Sequence, residues 1–238
     1  MKTVLITGGS RGIGAETVRK FCSRGWQCAF FYHSSEEQAM ELAKETGALP
    51  IRCDVKQSGQ VSAACAEALS RLHHLDAAVH CAGIARQALL QDMTDDDWHT
   101  MLDTHLSGAF YLCRAVLPGM LSRGGGVIIP VGSIWGRVGA SCEAAYSAAK
   151  AGLIGLTKAL AKEVGPGGVR VNCVCPGVIQ TEMLSSFSPE DLENLRQETP
   201  LCALGTPKQV ADCVYWLCTD EAAFITGQVI GVDGGFGQ

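Results

Sequence analysis

The sequence predicts one doubly wound α/β domain: seven mostly parallel strands with helices on both faces. Three observations lead there. Short apolar runs alternate with helical patterns from end to end, which implies βαβ units with right-handed crossovers. The first run meets a glycine-rich turn that leads straight into a helix. The length of 238 residues, with 47% hydrophobic and 18% charged side chains, suits a single substantial core. No internal repeat, low-complexity stretch or second domain interrupts the alternation over residues 1–238.

Each element follows from its local pattern. Residues 3–6 form a buried first strand. Thr7-Gly8-Gly9-Ser10-Arg11-Gly12-Ile13-Gly14 then opens a helix running to about residue 24. Such a turn brings backbone N–H groups and the positive end of a helix to one point, where a pyrophosphate can bind; the alternative is a turn that needs glycine only for packing. The second strand, 27–32, ends in Tyr32-His33-Ser34-Ser35, with no carboxylate before Glu36. An acidic residue there would hold a ribose 2′-hydroxyl and repel a 2′-phosphate. Its absence, with Arg11 in the loop, points to NADP(H) over NAD(H). His33 is either a surface turn residue or a 2′-phosphate contact.

A polar helix at 36–46 precedes a third strand at 49–53, which ends in Asp54-Val55. Asp54 either accepts from an adenine amino group or caps the helix at 57–71. The fourth strand, 75–79, closes in His80-Cys81-Ala82-Gly83, whose small residues suit a loop against the cofactor. Thr94 with three following aspartates starts a helix that runs to about residue 123, bent by Pro118. Strand five is 127–131. A helix spans 146–164, and its run of small residues suits close packing on a partner helix. Strand six is 169–174, followed by Pro176-Gly177. Residues 178–205 lack sheet pattern but hold a capped start at Ser188, and the stretch 180–204 is expected to be a substrate lid. Thr206 starts the last helix, and the last strand is 225–232.

The composition excludes several classes. The net charge is −5 and lysines and arginines do not cluster, which argues against a nucleic-acid partner. The N-terminus meets glycines too early for a signal peptide or a membrane span. Twelve cysteines fall mainly in apolar runs without metal-ligand spacing, so they read as reduced, buried thiols in a cytoplasmic protein with no metal site.

The chemistry concentrates between Ser133 and Lys150. Tyr146 and Lys150 stand at i and i+4, one turn apart on one helix face. An ammonium beside a phenol favours the phenolate, so the expectation is a lowered Tyr146 pKa and a usable proton donor.

Taken together, Thr7–Gly14, Asp54-Val55, Ala82-Gly83, Ser133, Tyr146-x-x-x-Lys150, Asn172, Pro176-Gly177 and Asp233-Gly234-Gly235 resemble the classical short-chain dehydrogenase/reductases over the whole chain. The resemblance implies a Rossmann-type domain. It also implies a general-acid role for Tyr146, with Lys150 tuning that group and holding the nicotinamide ribose, and Ser133 binding the substrate oxygen. It puts the cofactor against Gly8, Ser10, Arg11, Gly12, Ile13, Gly14, Tyr32, His33, Ser34, Asp54, Val55, Cys81, Ala82, Gly83, Tyr146, Lys150, Pro176, Gly177, Ile179 and Thr181. Two positions depart from the family. His105 stands for an asparagine whose main-chain carbonyl holds a water linked to the lysine; the histidine either keeps that carbonyl role, adds a catalytic proton shuttle, or only packs. His80-Cys81-Ala82-Gly83 replaces the family's NNAG.

The helix after Lys150, the run after Pro176 and the C-terminal end look most like 3-oxoacyl-[acyl-carrier-protein] reductases of fatty acid biosynthesis. That implies a homotetramer and an acyl-carrier partner. The segment Ser133–Glu143 also resembles reductases of a ketone on modified elongation factor P, the 5-aminopentanone reductase type. A small-molecule ketone is a further substrate reading, and a non-catalytic NADP-binding protein is the reading from another class.

Overall fold

The structure is a computed structural model that describes residues 1–185 and 187–237. Five strands rise in parallel before residue 131: β1 (Thr3–Thr7), β2 (Gln27–Tyr32), β3 (Leu49–Arg52), β4 (Ala77–His80) and β5 (Gly126–Pro130). With β6 (Val169–Val171) they make a six-stranded sheet of order β3-β2-β1-β4-β5-β6, every pairing parallel.

The expected seventh strand position is filled differently. The run at 169–174 breaks at Asn172 into β6 and β7 (Cys173–Pro176), and β7 pairs with β8 (Val229–Val232) as a separate two-stranded sheet. A single bridge, Val131 to Val174, continues the main sheet into it. The described residues therefore hold eight strands where seven were expected. Asn172 causes the break. Its backbone N–H still donates to Ile128, while its buried amide donates to the Ile225 carbonyl (2.8 Å) and accepts from the Gln228 N–H (3.0 Å). A side chain that satisfies two backbone groups can divert a strand from one neighbour to another.

Alternation along the strands builds two cores. Val4 and Ile6 of β1 face α1 (Gly12–Ser23), α2 (Glu36–Thr46) and α9 (Pro207–Leu217), with Phe21, Leu42 and Val214 in one cluster. Leu5 faces the other way, toward α3 (Ser58–Leu72), α5 (Gly108–Ser122) and α7 (Ala144–Val164), with Val61, Leu112 and Leu160. The remaining helices are α4 (Asp95–Leu102), the short α6 (Trp135–Val138) and α8 (Pro189–Glu198). Thr94, Ser188 and Thr206 all complete capping boxes, with Asp97, Asp191 and Gln209 as their reciprocal partners.

The helix expected to run unbroken to residue 123 does not. Between α4 and α5 lies a π-turn, Asp103–Ser107, in which the Gly108 N–H reaches back five residues to the Asp103 carbonyl. The small-residue face of α7 is partly used within the chain, since a Cβ at Gly152 would lie 2.7 Å from Leu106. The segment expected as a lid contains a 3₁₀ turn (Glu182–Leu184) and α8, and Ser186 within it lies outside the described residues.

Asn172 carries the strand exchange, so Asn172→Ala should remove two side-chain hydrogen bonds, the Gln228 N–H losing its partner while Arg170 still serves the Ile225 carbonyl. The expected loss of about 1–3 kcal/mol is read as a lower urea midpoint at unchanged m-value.

Candidate active site

The carboxyl ends of β1, β4, β5 and β7 meet at one edge of the sheet, and the polar groups singled out in the sequence gather there. The first loop is shaped by contact. Gly8 has φ +65°, and a Cβ on it would lie 2.6 Å from the Ala82 Cα, so the loop after β4 presses directly on the loop after β1. The Thr7 hydroxyl accepts from the Ala82 N–H (3.2 Å) across the same junction. Gly12, φ +53°, opens α1 and faces only the Thr181 methyl at 3.6 Å, and no side chain caps the helix. Bare N–H groups above an open glycine fit an anionic pyrophosphate. Ile13 packs beneath the loop against the core.

Around this cradle, Tyr32 is buried at the end of β2, while His33 and Ser34 are exposed beside it. Arg11 reaches across to Glu182 (3.1 Å) and ties the glycine loop to the 3₁₀ turn. Asp54 does not cap α3, whose first turn begins after Gln57; its carboxylate accepts from the Lys56 N–H (3.0 Å) and its side chain remains half-buried beside Val55. Gly177 is packed on Asp233, with a Cβ there 2.8 Å from the Asp233 Cα, which explains why Pro176-Gly177 and the C-terminal Asp233-Gly234-Gly235 belong together. Ile179 is buried and bridges Gly205. A cavity of about 490 Å³ lies against Gln180, Thr181, Glu182, Leu184, Leu192 and Leu204.

The reactive groups sit between β5 and α7. Ser133 lies just beyond β5, buried, and its Oγ accepts from the Trp135 N–H (3.1 Å). Lys150 is only 5% exposed; its Nζ donates to the Val131 carbonyl (2.7 Å) and lies 5.5 Å from the Tyr146 ring centroid. Short α6 passes directly over it, because a Cβ at Gly136 would lie 2.8 Å from the Lys150 Cβ. Burial lowers the Lys150 pKa to about 8, partly offset by the thiols of Cys173, Cys81 and Cys175.

Tyr146 departs from the sequence expectation. Its pKa is raised to about 12, chiefly by burial, with Glu143 and Cys175 adding to the rise and a hydrogen bond with Ser133 opposing it. The ammonium that was to lower it is bonded instead to Val131. His105, buried at the π-turn, packs edge-on against Tyr146 (centroids 5.1 Å, 87°). Its Nε2 lies 2.9 Å from the Ile84 carbonyl and 3.2 Å from the Ile84 N–H. Burial first, then Lys150, holds its pKa well below the ordinary histidine value, so the ring is neutral at pH 7 and is poorly suited to shuttling protons.

Sequence reasoning missed three members of the site. The sequence marks His80 only as a departure from the family pattern, Thr7 only as the start of the glycine loop, and Glu182 not at all. Thr7 and His80 carry a usable signal, since each is a polar residue ending a buried strand. Glu182 has none, because its pairing with Arg11 spans 171 residues of sequence. Cys81 is partly buried, with its thiol pushed up to about 12 by desolvation. All twelve cysteines are free, and the described residues hold no cluster of three or more side chains able to ligate a metal.

A serine, a tyrosine and a lysine beside a helix-capped phosphate cradle define a nicotinamide-dependent oxidoreductase, and the chain belongs to the short-chain dehydrogenase/reductase family. Residues 8–237 match the family model described as enoyl-(acyl carrier protein) reductase. The chain is 37% identical to a 3-oxoacyl-[acyl-carrier-protein] reductase of Chlamydia trachomatis, over 98% of this chain and 96% of that one. It is 35% identical to an uncharacterised oxidoreductase, YmfI, of Bacillus subtilis, over 99% and 98%. The crystal structure of a 3-oxoacyl-[acyl-carrier protein] reductase from Brucella melitensis superposes with a TM-score of 0.94 at 33% identity, covering all of this chain and 91% of that one.

The sign of the Lys150 shift gives a stability prediction. Its folded pKa of about 8 lies below lysine's ordinary 10.5, so the unfolded chain binds more protons between those values. This group therefore penalises folding fully below pH 8, and the penalty fades as pH rises to 10.5. Lys150→Met should be inactive yet more stable than the parent at pH 7, by about 1–3 kcal/mol once the lost Val131 bond is counted. The gap in urea midpoints should close above pH 10; a gap that does not change with pH overturns the assignment.

Proposed function

We propose that the protein reduces a ketone to a secondary alcohol with NADPH, and that its substrate is a 3-oxoacyl thioester on acyl carrier protein. The observation that carries the reading is the placement of Ser133, Tyr146 and Lys150 at the same sheet edge as the glycine loop. The nicotinamide supplies the hydride when bound. Ser133 Oγ donates to the carbonyl oxygen and fixes its position. The Tyr146 hydroxyl gives its proton to that oxygen as negative charge develops there, and Lys150 holds the ribose hydroxyls and adds positive charge. The cytoplasmic setting and the homotetramer belong to the same reading; among the described residues no helix is long and apolar enough to cross a membrane. Half-exposed Phe110 on α5 and the open surface beside Gly155 on α7 support subunit contacts through these two helices. Residues 180–204 form the substrate cover, latched by Arg11 and Glu182.

For NADP(H), the support is the end of β2, where the exposed His33 and Ser34 stand without a carboxylate and Arg11 is half-exposed. A 2′-phosphate would take Arg11 from Glu182. Arg11→Ala should raise KM for NADPH about tenfold and leave KM for NADH within about twofold, since one exposed charge-assisted contact is lost. Equal changes for both cofactors would overturn the assignment.

A second substrate reading has a specific observation behind it. An acidic carrier protein needs free basic groups beside the site. Arg123 donates to the Leu75 carbonyl (2.9 Å) and pairs with Asp76. Arg170 donates to the Ile225 and Thr219 carbonyls (3.2 and 3.3 Å), and Arg137 pairs with Asp233 (3.5 Å). With these three arginines engaged internally, a ketone borne on modified elongation factor P is the alternative substrate.

NADPH oxidation, measured with an acetoacetyl thioester on carrier protein, with its coenzyme A counterpart and with ketone-modified elongation factor P, separates these readings. Tyr146→Phe should lower kcat by about 10²–10⁴ and retain NADPH binding. Cofactor binding without turnover of any ketone would make the chain a binding protein instead.

A further inference from the structure

We propose that His80 and His105 act as one unit that positions Tyr146. The two departures from the family pattern stand 25 residues apart in sequence, yet both brace the loop after β4.

His80 ends β4 and is buried between Thr7 of β1 and Pro130 of β5. The Thr7 Oγ accepts from the Ala82 N–H, so its own proton is free for His80 Nδ1, 2.9 Å away. With Nδ1 as acceptor, the proton of a neutral imidazole sits on Nε2. That Nε2 is buried and makes no hydrogen bond among the described residues, so the ring is held from its Nδ1 side. Through Thr7, His80 is tied to the loop after β4, whose Ala82 N–H donates to the same hydroxyl. The π-turn, in which the Gly108 N–H goes to Asp103, places His105 against that same loop at Gly83 and Ile84.

The extra residue of that turn swings His105 into the site. Its ring fills the space between the loop after β4 and Tyr146: a Cβ at Gly83 would lie 2.6 Å from His105 Cε1, Nε2 is held at Ile84, and the ring edge rests on Tyr146. The line of contact runs from His80 and Thr7 through Ala82, Gly83 and Ile84 to the His105 ring and the phenol. Both histidines are positioning residues, because the reacting oxygen is served by Ser133 and Tyr146.

The proposal rests on the ketone-reductase reading for its kinetic arm only. In a double-mutant cycle, His80→Leu and His105→Leu should each lower kcat about tenfold with cofactor KM within about twofold. The double variant should fall no further than about threefold below the worse single, since residues in one network are not additive. Independently of turnover, the Tyr146 titration, read as the phenolate absorbance that Tyr146→Phe removes, should move to lower pH in His80→Leu as the released His105 ring admits water. Ser133, Glu143, Cys175 and Lys150, the other groups acting on the phenol, are unchanged in that variant.

Effects on kcat that multiply, or a Tyr146 titration that does not move, overturn the pairing. Should His80→Leu fail to fold, His80→Gln takes its place, keeping a polar partner for the Thr7 hydroxyl. It must then hold kcat within about threefold of the parent, and a loss as large as that of His105→Leu overturns the proposal. A shifted titration with no turnover of any ketone would sink the reductase reading and leave the pairing standing.

Discussion

An ammonium buried under the end of a sheet is the constraint on which the rest of the structure depends. Charge in an apolar interior is expensive unless it is bonded, and Lys150 meets that requirement by donating to the Val131 carbonyl. The carbonyl is available only because β5 has ended one residue earlier and the sheet is changing partners there. Val131 donates to His80 on one side and bridges Val174 on the other. The break at Asn172 is what brings β7 to that place. Gly136 lets α6 close over the lysine backbone. Strand exchange, helix approach and buried charge form one arrangement.

The same edge explains where the chain tolerates polarity. Away from it the strands are apolar on both faces, as a parallel sheet covered by helices requires. At the carboxyl ends Thr7, His80, Ser133 and Asn172 are all buried and polar. Each of the four makes a hydrogen bond to a strand end or loop at this edge. The site is therefore built from the residues that hold the strand ends together, and a substitution there changes stability and chemistry at once.

Most of this was legible in the sequence because it is local. The alternation of apolar runs and helical patterns gave the layers. Threonine or serine followed three residues later by an acid or glutamine gave three helix starts correctly. The glycine loop and the Ser133–Tyr146–Lys150 spacing located the site. What escaped depends on groups distant in sequence. Nothing in VRVNCVCP announces that Asn172 will bond to Ile225 and Gln228, so one strand was expected where two form. The π-turn is invisible to periodicity, because one added residue only shifts the phase of a helix already carrying Pro118. The direction of the Tyr146 shift failed for a related reason. The i, i+4 rule places Lys150 near the phenol, but the choice between phenol and carbonyl is made by Val131, on another element.

That failed expectation bears on the chemistry. A phenol whose pKa lies near 12 keeps its proton at neutral pH. Reduction of a ketone needs that starting state, since the donor must hold its proton until negative charge appears on the substrate oxygen. Oxidation of an alcohol needs the opposite state, a phenolate in place at the outset. Burial, Glu143 and Cys175 all favour the protonated phenol, and only the Ser133 hydrogen bond opposes them. The neutral His105 ring against the same phenol adds no charge that would draw the proton off. Complementarity to the developing oxyanion, rather than to a resting phenolate, is what accelerates proton transfer in the reductive direction. The half-buried, largely apolar setting of Tyr146 is thus part of how the protein would work as a reductase, and the nearby lysine supplies charge without discharging the acid beforehand.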